Sequence, residues 1–363
     1  VKLRRLSRRA VLGASAATLA GACIPEGRLK RSLEMTPRDI GDGWELGSPE
    51  SVGLDSDRVR AVYERVFSDD EFINAISFSI VKQGKLVAEG YVQSADDIRR
   101  KEHIQSVTKS LTSLAFGVAR GKGFFPDLDA PLAAFVHVSD PAKQSITLRH
   151  LMTMRSGIDV DNETFAIELE MKERHDWTGW LLDQPLHSKP GERFDYRDCD
   201  PQLLAAAISA ETGESVETLV RSAVLEPLAI SDVLWLHAPD GEPTAAHGVW
   251  LRARDLAKIA ELVRSNGAWS GEQTVPADWI GLATAEQSGV DPKDPYTKGF
   301  AYGFYFWTVP ELSAYSTWGH GGTFMLIVPE RELTLVLTSM PDAGNDIGSE
   351  LGDVVSLAKM LLG

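Results

Sequence analysis

After Leu54 and Asp55, apolar positions recur with a helical period at Val59, Val62, Tyr63, Val66 and Phe67, and the spacing predicts an amphipathic helix. The period then changes to two. Ile76, Phe78 and Ile80 alternate with Ser77 and Ser79, a Gln83-Gly84-Lys85 turn follows, and 86–92 returns as a second strand of an antiparallel hairpin. From Ser106 to Arg120 the pattern is helical again, with Leu111, Leu114, Ala115 and Val118 on one face and Gly121 placed to stop it. A mostly helical middle includes 148–154, ending at Ser156-Gly157, and a helix from Pro201 with Asp200 as its N-cap. A further helix over 255–264 closes at Asn266-Gly267. The last third turns to strands over 302–309, 325–328 and 333–338 and finishes in a helix over 347–362.

This order places strands from both chain ends in one sheet and leaves the middle to form a second lobe. Two such lobes create a cleft, the usual place for a small-molecule site. With 363 residues, 43% of them hydrophobic, the chain can bury a large core. The expected division is an export signal over 1–22, a Pro- and Gly-rich tether over 23–48 and one domain over 49–363. In that domain an α/β part takes 49–105 and 246–363, and a helical lobe takes 106–245.

The leader carries Lys2, Arg4, Arg5, Arg8 and Arg9 without an acid and then an apolar run to Ala22, too short to span a bilayer comfortably. Ser7-Arg8-Arg9-Ala10-Val11-Leu12 resembles the twin-arginine export motif, which implies passage of a folded protein across a bacterial inner membrane to the periplasm or cell envelope. Ala20-Gly21-Ala22 satisfies the small-residue cleavage rule. Cys23 follows it, so plain cleavage and lipid anchoring at Cys23 are both open. Any membrane association is expected only through that anchor.

The formal charge is −15, and loss of the leader makes the remainder more acidic still. A nucleic-acid partner is therefore not expected. Eight histidines show no paired ligand spacing and no His-Glu-x-x-His, no phosphate-binding glycine loop is present, and neither a metal nor another cofactor is expected. The absence of a Gly-x-Ser-x-Gly elbow argues against an α/β-hydrolase.

Ser106-Val107-Thr108-Lys109 places a serine at a helix start and a lysine one turn on, the minimum for acyl transfer without histidine. For the lysine to act as a neutral base near pH 7 its pKa must fall from roughly 10.4 by about three, equivalent to about 4 kcal/mol, and burial beside a helix N-terminus favours that fall. The alternative is a capping serine beside a solvent-facing lysine. A second copy, Ser356-Leu357-Ala358-Lys359, lies in the terminal helix, where nothing downstream remains to complete a site.

Two later segments decide between them. Phe194-Asp195-Tyr196-Arg197-Asp198 precedes a helix, and Trp318-Gly319-His320-Gly321-Gly322-Thr323 opens onto an apolar strand. Ser-x-x-Lys, then Tyr-x-Asn, then Lys-or-His-x-Gly in that order resembles the β-lactamase-related serine hydrolases: class C β-lactamases, D-alanyl-D-alanine carboxypeptidases, family VIII carboxylesterases and aminohexanoate-oligomer hydrolases. The likeness extends from about Val52 to the end and includes 146–157, Pro190-Gly191-Glu192, Glu226-Pro227-Leu228 and 253–257.

The resemblance implies an α+β, β-lactamase/transpeptidase-like fold, an antiparallel sheet flanked by helices with an inserted mostly helical lobe. It implies Ser106 as nucleophile, Lys109 and Tyr196 sharing the proton transfers, and an oxyanion hole from the backbone N–H groups of Ser106 and Thr323. Asp198, His320, Gly321 and Gly322 fall where substrate is bound. Asp198 replaces an asparagine, so an acceptor-only group stands where an amide can also donate. His320 replaces a lysine and weakens the anchoring of a substrate carboxylate. The expected activity is therefore an exported serine hydrolase acting through an acyl-enzyme on esters or small non-lactam amides. The alternatives are β-lactamase or D-Ala-D-Ala carboxypeptidase activity, or a non-catalytic envelope binding protein.

Overall fold

The computed structural model describes residues 34–340 and 350–363, apart from 68–71, 73, 93, 161–173 and 292. The export leader and Cys23 lie outside the described residues, as do residues 347–349, where the terminal helix was expected to start.

The helices are α1 (Ser56–Val66), α2 (Val107–Gly121), α3 (Leu148–Met152), α4 (Trp177–Asp183), α5 (Cys199–Thr212), α6 (Val216–Val220), α7 (Ala253–Arg264), α8 (Ala277–Thr284) and α9 (Leu351–Leu362). Two strands precede α2 in the main sheet, β1 (Ala75–Lys82) and β2 (Lys85–Tyr91). The short β3 (Lys101–His103), β4 (Leu234–Trp235) and β5 (Val249–Arg252) form a separate three-stranded sheet, and β6 (Ala268–Trp269) pairs with β7 (Glu272–Gln273). The rest follow α8: β8 (Ser288–Gly289), β9 (Ala301–Tyr302), β10 (Trp307–Val309), β11 (Ala314–Gly319), β12 (Thr323–Val328) and β13 (Leu333–Ser339).

The main sheet is antiparallel in the order β2-β1-β13-β12-β11-β10-β9-β8, so the two ends of the described chain meet at β1 and β13. Every residue of β13 is buried, and all of β1 except Lys82, because helices cover both faces. Tyr63 of α1 packs edge-on to Phe78, which pairs with Leu337, whereas Glu261 of α7 bonds the Thr334 hydroxyl. Residues 337 and 334 point to opposite sides of a strand, so α1 and α7 clamp the sheet between them. The Ser77 and Ser79 positions, polar in the alternation, are thus buried too; Ser77 and Thr338 satisfy one another's hydroxyls at 2.6 Å.

Local chemistry explains the boundaries. Asp55 caps α1 by accepting the N–H groups of Asp57 and Arg58. Gln83 and Gly84 both adopt positive φ, 54° and 75°, the twist that a two-residue hairpin requires. At α7 the expected closure is seen, with Asn266 and Gly267 left-handed.

Four expectations need correction. The 302–309 run is not one strand but the hairpin β9–β10, in which Trp307 faces Tyr302; a Cβ on Gly303 would stand 2.1 Å from the Ala283 oxygen, and Tyr305 is left-handed at 64°. Strand β11, unforeseen as a strand, lies between this hairpin and β12. Asp200 is not an N-cap: α5 starts at Cys199, the cap position belongs to Asp198, and Asp200 is buried inside the first turn. Finally, 34–48 is no loose tether. Leu46 bridges Leu86, the Glu45 carbonyl accepts the Leu86 N–H, and Asp42 joins Glu89 in pairing with the fully buried Arg254 of α7. Two carboxylates around one buried guanidinium dock this segment to the domain, since removing the cation would strand both charges. No helix among the described residues is long and apolar enough to cross a membrane.

Candidate active site

Helix α2 runs through the middle of the molecule, and every residue from Val107 to Ala119 is buried. It packs on α5, α6 and α8 and approaches β11. Two of its buried polar side chains bond across the interface, Ser110 to the Tyr305 carbonyl at 2.6 Å and Thr112 to the Ala245 carbonyl at 2.7 Å, whereas the Thr108 and Ser113 hydroxyls find no partner among the described residues.

Ser106 stands at the N-cap position, yet its hydroxyl makes no capping bond. The residue before it, Gln105, is held at φ 51°, a left-handed conformation uncommon for a side chain with a Cβ. This bend brings Ser106 Oγ within 2.8 Å of Lys109 Nζ. Lys109 itself is 1% exposed. Its Nζ also donates to the Ala246 carbonyl at 3.0 Å and to Asp198 Oδ1 at 2.6 Å, and lies 4.9 Å from the Tyr196 ring centroid. Ser106, Lys109, Tyr196 and Asp198 therefore meet around one nitrogen, two from α2 and two from the segment entering α5. The second Ser-x-x-Lys copy does nothing comparable: Ser356 bonds the Asp353 carbonyl and Lys359 is about half exposed, paired with Glu311.

The charge on Lys109 departs from the sequence expectation. Burial pushes its pKa down, but the Asp198 carboxylate, reinforced by the Tyr196 phenol, outweighs burial and holds it above that of an ordinary lysine. The direction is opposite to the fall that a neutral amine requires, and the geometry is that of an ion pair with Asp198. Asp198 is drawn to Lys109, which also explains why its side chain does not cap α5.

Tyr196 is fixed from behind by aromatic rings. It stacks on Trp307 at 5.9 Å and 23°, and meets Tyr302 edge-on at 6.0 Å. Trp307 in turn touches Trp318, which is half-buried on β11. The row Tyr196-Trp307-Trp318 gives the site an apolar wall.

Strand β11 ends at Gly319, opposite Thr323. The turn between them is closed by Gly322 N–H donating to the Gly319 carbonyl at 3.0 Å, with Gly321 and Gly322 at φ 80° and 96°. Both glycines are thus required by backbone conformation. Thr323 is buried and its hydroxyl accepts the Ser339 N–H at 3.1 Å, tying the start of β12 to β13. His320 projects from the turn, half-buried. Gly319 adjoins the Ile104 carbonyl and Gln105, so the turn borders the segment that presents Ser106.

The Ala246 carbonyl carries no side-chain signal and was not legible in the sequence. The aromatic row was hidden because its members are far apart along the chain. Asp198 was visible, two residues after Tyr196, but its bond to Lys109 was not foreseen.

A family model for Beta-lactamase matches residues 63–356. The chain belongs to the Beta-lactamase family. An uncharacterized protein of Alkalihalophilus pseudofirmus is 25% identical over 285 residues, covering 69% of this chain and 75% of that protein. Among solved structures, one from Bacillus anthracis assigned as a 6-aminohexanoate-dimer hydrolase superposes with a TM-score of 0.71 at 17% identity, covering 91% of this chain and 89% of that one. A class C β-lactamase from Rhodobacter sphaeroides superposes at 0.62 and 15%, covering 84% and 98%. At such identities the structural likeness establishes the fold, α+β and β-lactamase/transpeptidase-like. The chain is thus a Beta-lactamase-family protein, in a family of serine hydrolases that act on small molecules.

Proposed function

We propose that this Beta-lactamase-family chain is an exported serine hydrolase that forms an acyl-enzyme on Ser106 and acts on esters or small non-lactam amides. The observation that carries the reading is the buried Lys109 nitrogen 2.8 Å from the Ser106 hydroxyl. Ser106 Oγ attacks the substrate carbonyl carbon as its proton passes to the Lys109 and Tyr196 pair, and the charge that develops on the carbonyl oxygen is received by the backbone N–H groups of Ser106 and Thr323. Tyr196, beside Lys109, hands a proton to the leaving oxygen or nitrogen. Water then releases the acyl group by the same path.

The preference for esters and small amides draws on two features. Asp198 is engaged by Lys109 and offers no amide N–H to a substrate. The Trp307-Trp318 surface suits an uncharged acyl or alcohol group. The basic and apolar leader supports export by the twin-arginine route to the periplasm or envelope, with Cys23 as a site of lipidation. The test is incubation with a fluorophosphonate probe and a short-chain nitrophenyl ester. Absence of label on Ser106, or equal ester turnover by Ser106→Ala, would defeat the reading. Nitrocefin turnover at rates comparable to ester hydrolysis would replace the ester preference with β-lactamase activity.

A second reading is drawn from the ion pair itself: with Lys109 charged, the protein keeps the fold as an envelope binding surface. Tight binding of cell-wall peptide without acylation by esters, amides or lactams would favour it.

A further inference from the structure

The Lys109 ammonium donates to Asp198 Oδ1 at 2.6 Å, Ser106 Oγ at 2.8 Å and the Ala246 carbonyl at 3.0 Å, with the Tyr196 side chain also hydrogen-bonded to it. In that state Ser106 receives a hydrogen bond from the nitrogen it is supposed to give its proton to. An ammonium has no lone pair and cannot take that proton. Either the serine is inert or the nitrogen must first unload, and the Asp198 carboxylate at 2.6 Å is an anionic group that can accept.

We propose that Asp198 is the proton-accepting partner of Lys109, so that this site works as a Ser106–Lys109–Asp198 relay; the inference rests on the acyl-enzyme reading above. The hydrogen that Nζ shares with Asp198 moves to Oδ1 and frees the nitrogen lone pair. As Ser106 Oγ bonds to the carbonyl carbon and the carbonyl π electrons move to oxygen, the Ser106 proton passes to that lone pair. Lys109 is an ammonium before and after, Asp198 ends as the acid, and no co-reactant is consumed. When the tetrahedral intermediate collapses and the C–O or C–N bond breaks, the proton returns from Asp198 through Lys109 and Tyr196 to the leaving group. Deacylation repeats the cycle with water in place of Ser106.

Asp198 acts through Lys109 and is a positioning residue in that sense, but its role has a pH signature that simple packing lacks. The charged and titratable groups around it are Lys109 from α2, and Tyr196, Arg197, Cys199 and Asp200 from its own segment; the 244–248 segment contributes the Ala246 carbonyl. In the wild type the relay is charged whenever Asp198 is ionised, so kcat/KM should hold well below neutrality and fall only as that carboxylate takes up a proton. In Asp198→Asn nothing sustains the charge on the buried lysine. Burial then lowers its pKa, the neutral amine becomes the base, and the rate is lost as pH falls through that new value.

The experiment is a pH profile of ester kcat/KM and of fluorophosphonate labelling for the wild type, Asp198→Asn and Asp198→Glu, each checked for folding by circular dichroism. The expected result is an acid limb displaced upward by at least two pH units in Asp198→Asn, with an alkaline plateau within about tenfold of wild type, and a limb restored toward acid in Asp198→Glu. An Asp198→Asn profile that is merely scaled down, with its limb unmoved, overturns the relay. If Asp198→Asn does not fold, a Glu variant whose limb lies at neutral or alkaline pH overturns it instead. Failure of the underlying reading looks different: the wild type is then unlabelled at Ser106 at every pH.

Discussion

Gly319 abuts the Ile104 carbonyl so closely that a Cβ there would stand 2.7 Å from the oxygen and 3.2 Å from Gln105 Cβ. The strand that leads to the Thr323 turn and the segment that leads to Ser106 are therefore spaced by the absence of a side chain. Gly319→Ala should force the two apart by a few tenths of an ångström or more. Small misplacements of reacting groups are costly, up to about 100-fold for 1 Å. The expected outcome is a loss of at least tenfold in ester kcat/KM, with thermal unfolding showing a cooperative transition. Wild-type kinetics in this variant would show that the spacing does not matter to the site.

The two Ser-x-x-Lys copies offer an internal control. Lys109→Met removes the buried charge and breaks the ion pair with Asp198 while nearly preserving volume. Removal of such a proton-transfer group should lower kcat by about 10² to 10⁴, while KM changes little, because no substrate contact is lost. Lys359→Met touches only a half-exposed pair with Glu311 and should leave stability within about 0.5 kcal/mol and activity unchanged. Parallel assays of the two variants against one nitrophenyl ester distinguish them. Equal effects would dissolve the assignment of the site to the first copy.

How much of this was legible beforehand follows from what kind of information each feature needs. Helix α1, the β1–β2 hairpin and the closure of α7 are written locally, in the period of Val59 to Phe67, in Gln83-Gly84 and in Asn266-Gly267, and they stand where expected. The grouping of Ser106, Lys109 and Tyr196 was legible through ordered motifs. What failed depended on tertiary contacts. The break in 302–309 comes from the Ala283 carbonyl crowding Gly303. Asp200 lost its cap role because Asp198 took the cap position and was then drawn to Lys109. The charge on Lys109 was misjudged for the same reason: burial was counted and the partner carboxylate was not. Residues 34–48 carry little periodicity, and their docking through Asp42 and Arg254 depends on a pairing across more than two hundred positions.

Trp318 tests the apolar wall. It is half-buried on β11 and in contact with Trp307, which backs Tyr196. Trp318→Ala should raise KM for benzoyl or longer acyl esters about tenfold, in keeping with a loss of about 1.4 kcal/mol of contact. Acetyl esters, which do not reach it, should keep kcat/KM within about threefold. A uniform loss across the ester series would mean that Trp318 supports the site's shape instead of contacting the acyl group.

Asp200 gives the fold a pH dependence of its own. Its carboxyl is fully buried, and burial pushes its pKa from 3.8 up to about 7, opposed in part by hydrogen bonds from Ser156 and Cys199. A raised carboxyl pKa means that between about pH 4 and about pH 7 the folded chain holds a proton that the unfolded chain has released. Folding then loses stability as pH climbs through that window, and regains it on acidification. Asp200→Asn cannot titrate. Its amide nitrogen faces one of the two donors that the carboxylate accepts, so a constant offset is expected at every pH. The informative quantity is the difference in unfolding free energy between variant and wild type, measured in urea at pH 4.5, 6 and 8. That difference should move in favour of the variant as pH rises and level off above about 7. A difference that is flat from pH 4.5 to 8 would show that Asp200 is ionised in the folded protein throughout, its charge met by Ser156 and Cys199 alone.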